Sequence, residues 1–332
     1  MKLLRLQSLS LAALVAVTIA PLVAHAQGRT RTEEPTRQAP QRAQQRGPAQ
    51  PREPGRTVFV SPDWLAQRLN DQDLRILDVR LNPRDYFIGH VPNAVHIADA
   101  TFRGPQRGIP VQHLPRQDMG DLLQRSGVRN GDRVVIYSDG EDVIGATMVG
   151  YILQTLGHPE VYILDGGFQG WSRTQPVTQR YPEYRVGTFT IRRQRDLSAD
   201  LEDVRDVLQG RSRATLVDAR PAPLYRGETN IWQKNGHIPG AVNLDWHELV
   251  ETSNPHQLKP LPELRRIIAE RGLGPEDEII LYCGTSREAS LVFHVMRNML
   301  GWDNVRLYEG SWTEYVAFDL PVTKGEERAA SR

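Results

Sequence analysis

Residues 57–175 and 195–325 carry the same pattern twice: short apolar runs rich in β-branched residues alternate with segments whose apolar positions recur at helical spacing. In the first stretch this predicts strands at Ile76–Val79, Val95–Ile97, Val134–Tyr137 and Val161–Leu164. Helices are expected near Met119–Arg125 and Val143–Leu156, and from Ser61-Pro62-Asp63, an N-cap followed by an N1 proline, through Leu69. The second stretch predicts a strand over Glu278–Tyr282 and helices over Leu201–Leu208, Leu261–Arg271 and Arg287–Leu300. In the last of these, Ala289, Val292, Val295, Met296 and Met299 mark the buried face. Strands that are apolar on both faces and alternate with helices imply an α/β fold of two domains, each a mainly parallel sheet flanked by helices on both faces. Residues 176–194 join them.

The repetition extends to motifs. Leu77-Asp78-Val79-Arg80 matches Val217-Asp218-Ala219-Arg220, and Gly89-His90-Val91-Pro92-Asn93-Ala94-Val95 matches Gly236-His237-Ile238-Pro239-Gly240-Ala241-Val242. Val134-Val135-Ile136-Tyr137-Ser138 matches Ile279-Ile280-Leu281-Tyr282-Cys283, and Leu164-Asp165-Gly166-Gly167 matches Tyr308-Glu309-Gly310-Ser311. The first pair is offset by 140 residues and the others by 147, 145 and 144, which places an insertion around Thr229–Lys234 of the second copy. The chain is an internal duplication.

What precedes the repeats is of another kind. Lys2 and Arg5, the apolar run Leu9–Ala20 and Ala24-His25-Ala26 read as an export signal over residues 1–26. The apolar run is shorter than the roughly 20 residues that span a bilayer, so no membrane span is expected in the mature chain and a periplasmic location is. Residues 27–56, rich in Gln, Pro and Arg, read as a disordered tether, and 326–332 as a tail. The formal net charge of +1 falls to about −1 without the signal, so no field draws this chain to nucleic acid.

Chemistry concentrates at Cys283, the only cysteine of 332 residues. It falls between a strand end and a helix start, where backbone N–H groups and the helix dipole favour a thiolate. A single thiol forms no internal disulfide. It is either an inert core residue or a nucleophile, and an exported free thiol is a liability unless used.

The Asp-x-Arg strand ends, Gly236–Asn243, the loop Cys283-Gly284-Thr285-Ser286-Arg287 and the segment Glu309–Glu314 together resemble the tandem-domain rhodanese family of thiosulfate and 3-mercaptopyruvate sulfurtransferases, over residues ~57–322. The resemblance implies a ping-pong transfer: the Cys283 thiolate takes the outer sulfur of a small anionic donor, thiosulfate first and mercaptopyruvate second, and passes it from a persulfide to cyanide or a thiol. Amides of Gly284 through Arg287 would cradle the anion. Thr285 matches a serine that assists the sulfur in mercaptopyruvate members, or is a helix cap. Arg287 is read as binding the donor ahead of bracing the loop. Asp218 and Arg220 resemble the pair that braces the loop, Arg220 also matching a carboxylate-binding arginine. Arg226 and Lys234, beside the insertion, are either further donor cations or solvated charge. His237 and His90 are read as turn residues, with a catalytic part for His90 as the minor alternative. Trp171 and Trp312 are packing residues.

The loop departs from the family where Ser286 replaces a common glycine and Glu288 follows the arginine. An inward Glu288 would raise the thiol pKa; an outward one would suit the helix start. In the first copy Ser138, amid Asp139, Glu141 and Asp142, replaces the cysteine, so that domain is expected to be catalytically silent and to wall the cleft. A phosphatase loop would need arginine where Ala289 stands. No metal cluster, phosphate loop or flavin motif is visible, so neither metal nor cofactor is expected. The remaining alternative is a non-catalytic exported sulfur carrier. The duplication already forms a pseudo-dimer, and a monomer is expected.

Overall fold

A computed structural model describes residues 56–139 and 144–325. The expected signal, nearly all of the tether, the tail, Glu141 and Asp142 lie outside these residues. Each repeat forms a five-stranded, wholly parallel sheet. In the first the order is Val58–Val60, Val161–Leu164, Arg133–Tyr137, Leu74–Asp78, Ala94–His96. In the second it is Ser198–Ala199, Val305–Tyr308, Ile279–Tyr282, Thr215–Asp218, Val242–Asn243, the same order strand for strand. The pairing Asp78↔Tyr137 recurs as Asp218↔Tyr282, so equivalent motifs end at equivalent strand tips.

The α/β fold agrees with the sequence pattern, with differences at its margins. The edge strands Val58–Val60 and Ser198–Ala199 are too short to show a period. Two hairpins that the pattern did not mark, Arg103–Gln106 with Ile109–His113 and Val250–Glu251 with Asn254–Leu258, project from equivalent places in the repeats. Glycine, proline and polar residues interrupt both, which hides any alternation. The helix expected over 287–300 is α-helical as Arg287–Phe293 and widens to a π-helix over His294–Met299, where Leu300 N–H reaches Val295 O at 2.9 Å.

The two repeats share one core. Every residue of helix Gly145–Thr155 is buried, as its apolar sequence requires of a helix with no solvent face. It packs against helix Arg287–Phe293 of the second repeat: Tyr151 meets Phe293 edge-on at 5.1 Å, and the Ser290 hydroxyl donates to Thr147 Oγ1 at 2.8 Å. Because the first-repeat helix lies directly on the helix that follows Cys283, the hairpin beside it reaches the active loop. Residues 176–194 run back over the first repeat, where Thr178 bridges His90, as Thr323 bridges His237 in the second.

Candidate active site

The site begins with a buried brace. Asp218 leaves its strand facing Arg220, which grips it through Nε at 2.9 Å and sends another N–H to Gly236 O at 2.7 Å. Both side chains are essentially inaccessible to solvent. Burial works against the Arg220 charge, but Asp218 overrides it and holds the guanidinium protonated. Its remaining nitrogen, Nη1, has no hydrogen-bond partner among the described residues, while the guanidinium packs over Trp312, 4.4 Å from the ring centroid. Tyr282 closes the brace, its hydroxyl accepting from Ile238 N–H at 3.1 Å. The next residue is Cys283.

The loop is fastened at its base by the segment after the last strand. Trp312 N–H donates to Cys283 O at 2.8 Å, and Thr313 gives Gly284 O both its amide, at 3.1 Å, and its hydroxyl, at 2.8 Å. Trp232, from the insertion, lies against Gly284, where a Cβ would come within 2.9 Å of its ring. Only glycine fits there. The Trp232 indole N–H in turn donates to Thr313 Oγ1 at 3.2 Å. Ser286 then turns the chain into the helix with φ +67°, a left-handed conformation that explains why glycine is common at this place.

Cys283 is fully buried. Backbone N–H groups of Thr285 and Ala289 do face its sulfur and favour the thiolate, as a nest should. They are outweighed. Burial pushes the thiol pKa well up, and Glu288 points inward, accepts from the thiol and adds a neighbouring negative charge in the same direction. The expectation of a thiolate held near neutrality is therefore corrected: here Cys283 is a neutral thiol, because desolvation and one carboxylate exceed two amide dipoles.

Of the cations expected to meet a donor, Arg287 turns to the first repeat, its Nε 2.8 Å from the fully buried Asp99. That contact braces the loop across the repeats. Arg226 pairs with Glu228 at 2.7 Å, and Lys234 pairs with Asp319 at 3.0 Å and Leu320 O at 3.2 Å. Thr285 does not cap the helix: Ser286 holds the N-cap position, and the Thr285 hydroxyl accepts from Arg103 Nη1 at 3.3 Å.

The sequence reading missed three groups that the first repeat delivers: Asp99, Arg103 and His113. Arg103 and His113 face each other across the first hairpin. His113 lies with Nε2 2.8 Å from Ser286 Oγ and Nδ1 4.0 Å from Glu309, and burial lowers its pKa. Its hairpin twin His256 reaches Asp139 of the first copy at 3.4 Å, a symmetry that comparing the two hairpin histidines, 143 residues apart, would have exposed. His90 is not the histidine at the loop. It stacks on Tyr86 at 3.8 Å and contacts Tyr86 O and Arg180 O, as His237 stacks on Tyr225. Ser138, in the place of the thiol, borders a cavity of about 10 Å³, room for one water. Trp171 and Trp312 are buried and donate to Pro176 O and Lys234 O. Among the described residues no cluster of three or more His, Cys, Asp or Glu is arranged to hold a metal ion.

Residues 61–174 and 200–318 both match the Rhodanese-like domain family. The chain belongs to that family. A Synechococcus elongatus relative with the provisional name thiosulfate sulfurtransferase is 45% identical over 278 residues, 81% of this chain and 86% of that one. The sulfur carrier protein TtuD of Thermus thermophilus is 30% identical over 81% of this chain and 98% of its own. Among solved structures, that of SseA from Escherichia coli, a rhodanese-fold 3-mercaptopyruvate sulfotransferase, superposes with a TM-score of 0.69 at 29% identity, covering 77% of this chain and 99% of that one. A tandem of rhodanese-like domains is thus common ground for the sequence, the fold and the family match.

Proposed function

We propose that this rhodanese-like protein is a sulfurtransferase that moves a sulfane sulfur from a small anionic donor, thiosulfate first, through a Cys283 persulfide to a thiophilic acceptor such as cyanide or a thiol. One observation carries the reading: a lone thiol at the carboxyl end of the central strand, with the N–H groups of Thr285 and Ala289 turned on its sulfur. In the first half-reaction the thiol proton passes to Glu288, the carboxylate that the thiol already touches. The sulfur then attacks the outer sulfur of thiosulfate. The Cys283 S–S bond forms, the donor S–S bond breaks, and sulfite leaves with the bonding pair. In the second half, cyanide attacks the outer sulfur of the persulfide and departs as thiocyanate, returning the pair to Cys283. The two amides stabilise the anionic sulfur in each half.

The first domain takes no sulfur in this scheme and acts as a wall and brace. Residues 1–26 read as a cleaved export signal, which supports a periplasmic mature protein, and the internal duplication supports a monomer. The deciding experiment mixes purified protein with thiosulfate and cyanide and follows thiocyanate, with intact mass before cyanide. Wild type should gain the mass of one sulfur atom and turn over; Cys283→Ser should do neither. Equal traces for both would remove the enzyme, and mass gain without turnover would leave a carrier.

A further inference from the structure

We infer that Arg103, supplied by the first domain, is the residue that binds the oxyanion end of the sulfur donor, so that the donor subsite is completed across the domain boundary. This rests on the sulfurtransferase reading and names the group that anchors the donor. The other cations expected at the loop already hold carboxylates of their own. Arg220 is spent on Asp218 and Gly236 O, Arg226 on Glu228, Lys234 on Asp319, and Arg287 on Asp99. Arg103 differs from all of them. Its nearest carboxylate is that same Asp99, at 4.0 Å, while Arg287 already holds the carboxylate at 2.8 Å. One acid therefore serves two guanidinium groups.

The Arg103 side chain is only 8% exposed, and its Nε is buried with no hydrogen-bond partner among the described residues. A buried guanidinium N–H without an acceptor costs free energy unless something completes it. Its Nη1 rests on a neutral hydroxyl, Thr285 Oγ1, at 3.3 Å, a contact that an anion would outcompete. Position agrees with this. Thr285 is two residues from the nucleophile, and the Arg103 charge is felt at both Cys283 and Glu288. Burial lowers the pKa of Arg103, as expected of a cation lacking a full counter-charge. A donor whose sulfur meets Cys283 and whose sulfonate or carboxylate meets Arg103 would fill the orphan N–H and offset the repulsion from Glu288. The forked donor geometry suits either oxyanion.

The test compares wild type, Arg103→Gln and Arg103→Lys with three donors: thiosulfate, 3-mercaptopyruvate and an alkyl persulfide that carries no sulfonate or carboxylate. Arg103→Gln should lose about 10- to 100-fold in kcat/KM with whichever anionic donor is used, the loss lying mainly in KM. With the persulfide that lacks an oxyanion group the loss should be far smaller, and cyanide should discharge a preformed enzyme persulfide at an unchanged rate. Arg103→Lys should recover part of the loss. An equal loss with all three donors would show a structural role and overturn the inference, as would no loss at all. In Cys283→Ser protein, which cannot turn over, thiosulfate should raise the melting temperature and the added Arg103→Gln change should abolish that rise. If wild type takes sulfur from no donor, the sulfurtransferase reading fails; the melting-temperature arm still decides on Arg103.

Discussion

The two domains carry the same brace and opposite fates. In the first, Arg80 grips Asp78 through Nε at 3.0 Å and Gly89 O at 2.8 Å, and the Tyr137 hydroxyl donates to Asp78 at 2.7 Å and accepts from Val91 N–H. In the second, Arg220, Asp218, Gly236, Tyr282 and Ile238 repeat it member for member. What differs is the residue that follows the tyrosine, Ser138 in one and Cys283 in the other, and what faces it. The Cys283 loop meets Asp99, Arg103 and His113; the residue after Ser138 meets His256 beside a cavity that holds no more than a water. Duplication has kept the support in both copies and the thiol in only one. A brace is therefore no sign of an active site; a brace followed by a nucleophile and faced by its sister domain is.

The harshest way to break the comparison is to exchange the divergent residues. Cys283→Ser should abolish sulfur uptake, and adding Ser138→Cys to that variant should not restore it, since Ser138 borders a cavity with room for no more than a water and its neighbour Asp139 adds a negative charge. Recovery of thiocyanate production in the double variant would mean the surroundings are interchangeable. Next in size is the brace. Asp78→Asn and Asp218→Asn each leave a buried guanidinium short of its partner, and each should cost roughly 3–5 kcal/mol in denaturant unfolding. Only Asp218→Asn should also slow persulfide formation in protein that remains folded.

Much of this was legible beforehand because parallel strands buried on both faces announce themselves and because a duplicated motif can be checked against its copy. Asp78, Arg80, Asp218, Arg220, the histidine turns and Cys283 all emerged that way. Asp99, Arg103 and His113 did not, for a physical reason: they act on a loop some 170 to 190 residues away through a hairpin with no hydrophobic period. The protonation of Cys283 was hidden likewise. Amides at a helix start are visible in a sequence, but the depth of burial and the direction of Glu288 are not.

Glu288 offers a subtler probe of the active copy. Replacing it by Gln removes a negative charge and an acceptor that both favour the neutral thiol, so the thiol should ionise at lower pH. The alkaline rise in alkylation of Cys283 by iodoacetamide should move to lower pH in Glu288→Gln. Turnover need not follow, because Glu288 also takes the proton; faster alkylation with slower sulfur transfer at neutral pH would separate its two roles. An unchanged alkylation profile would mean burial alone sets the thiol.

The smallest effect is expected at Ser286, where two contributions oppose each other. Its left-handed conformation costs a non-glycine residue about 1 kcal/mol. Its hydroxyl recovers about as much through the hydrogen bond to His113. Ser286→Gly removes the strain together with the contact, so unfolding free energy should change by less than about 1 kcal/mol. Ser286→Ala loses the same contact but keeps the strain, so it should be the less stable of the two by about 1 kcal/mol. The reverse order would mean that the left-handed turn costs a non-glycine residue nothing here. A Ser286→Ala variant as stable as wild type would instead mean that the His113 contact contributes nothing and that the hairpin steadies the loop through Arg103.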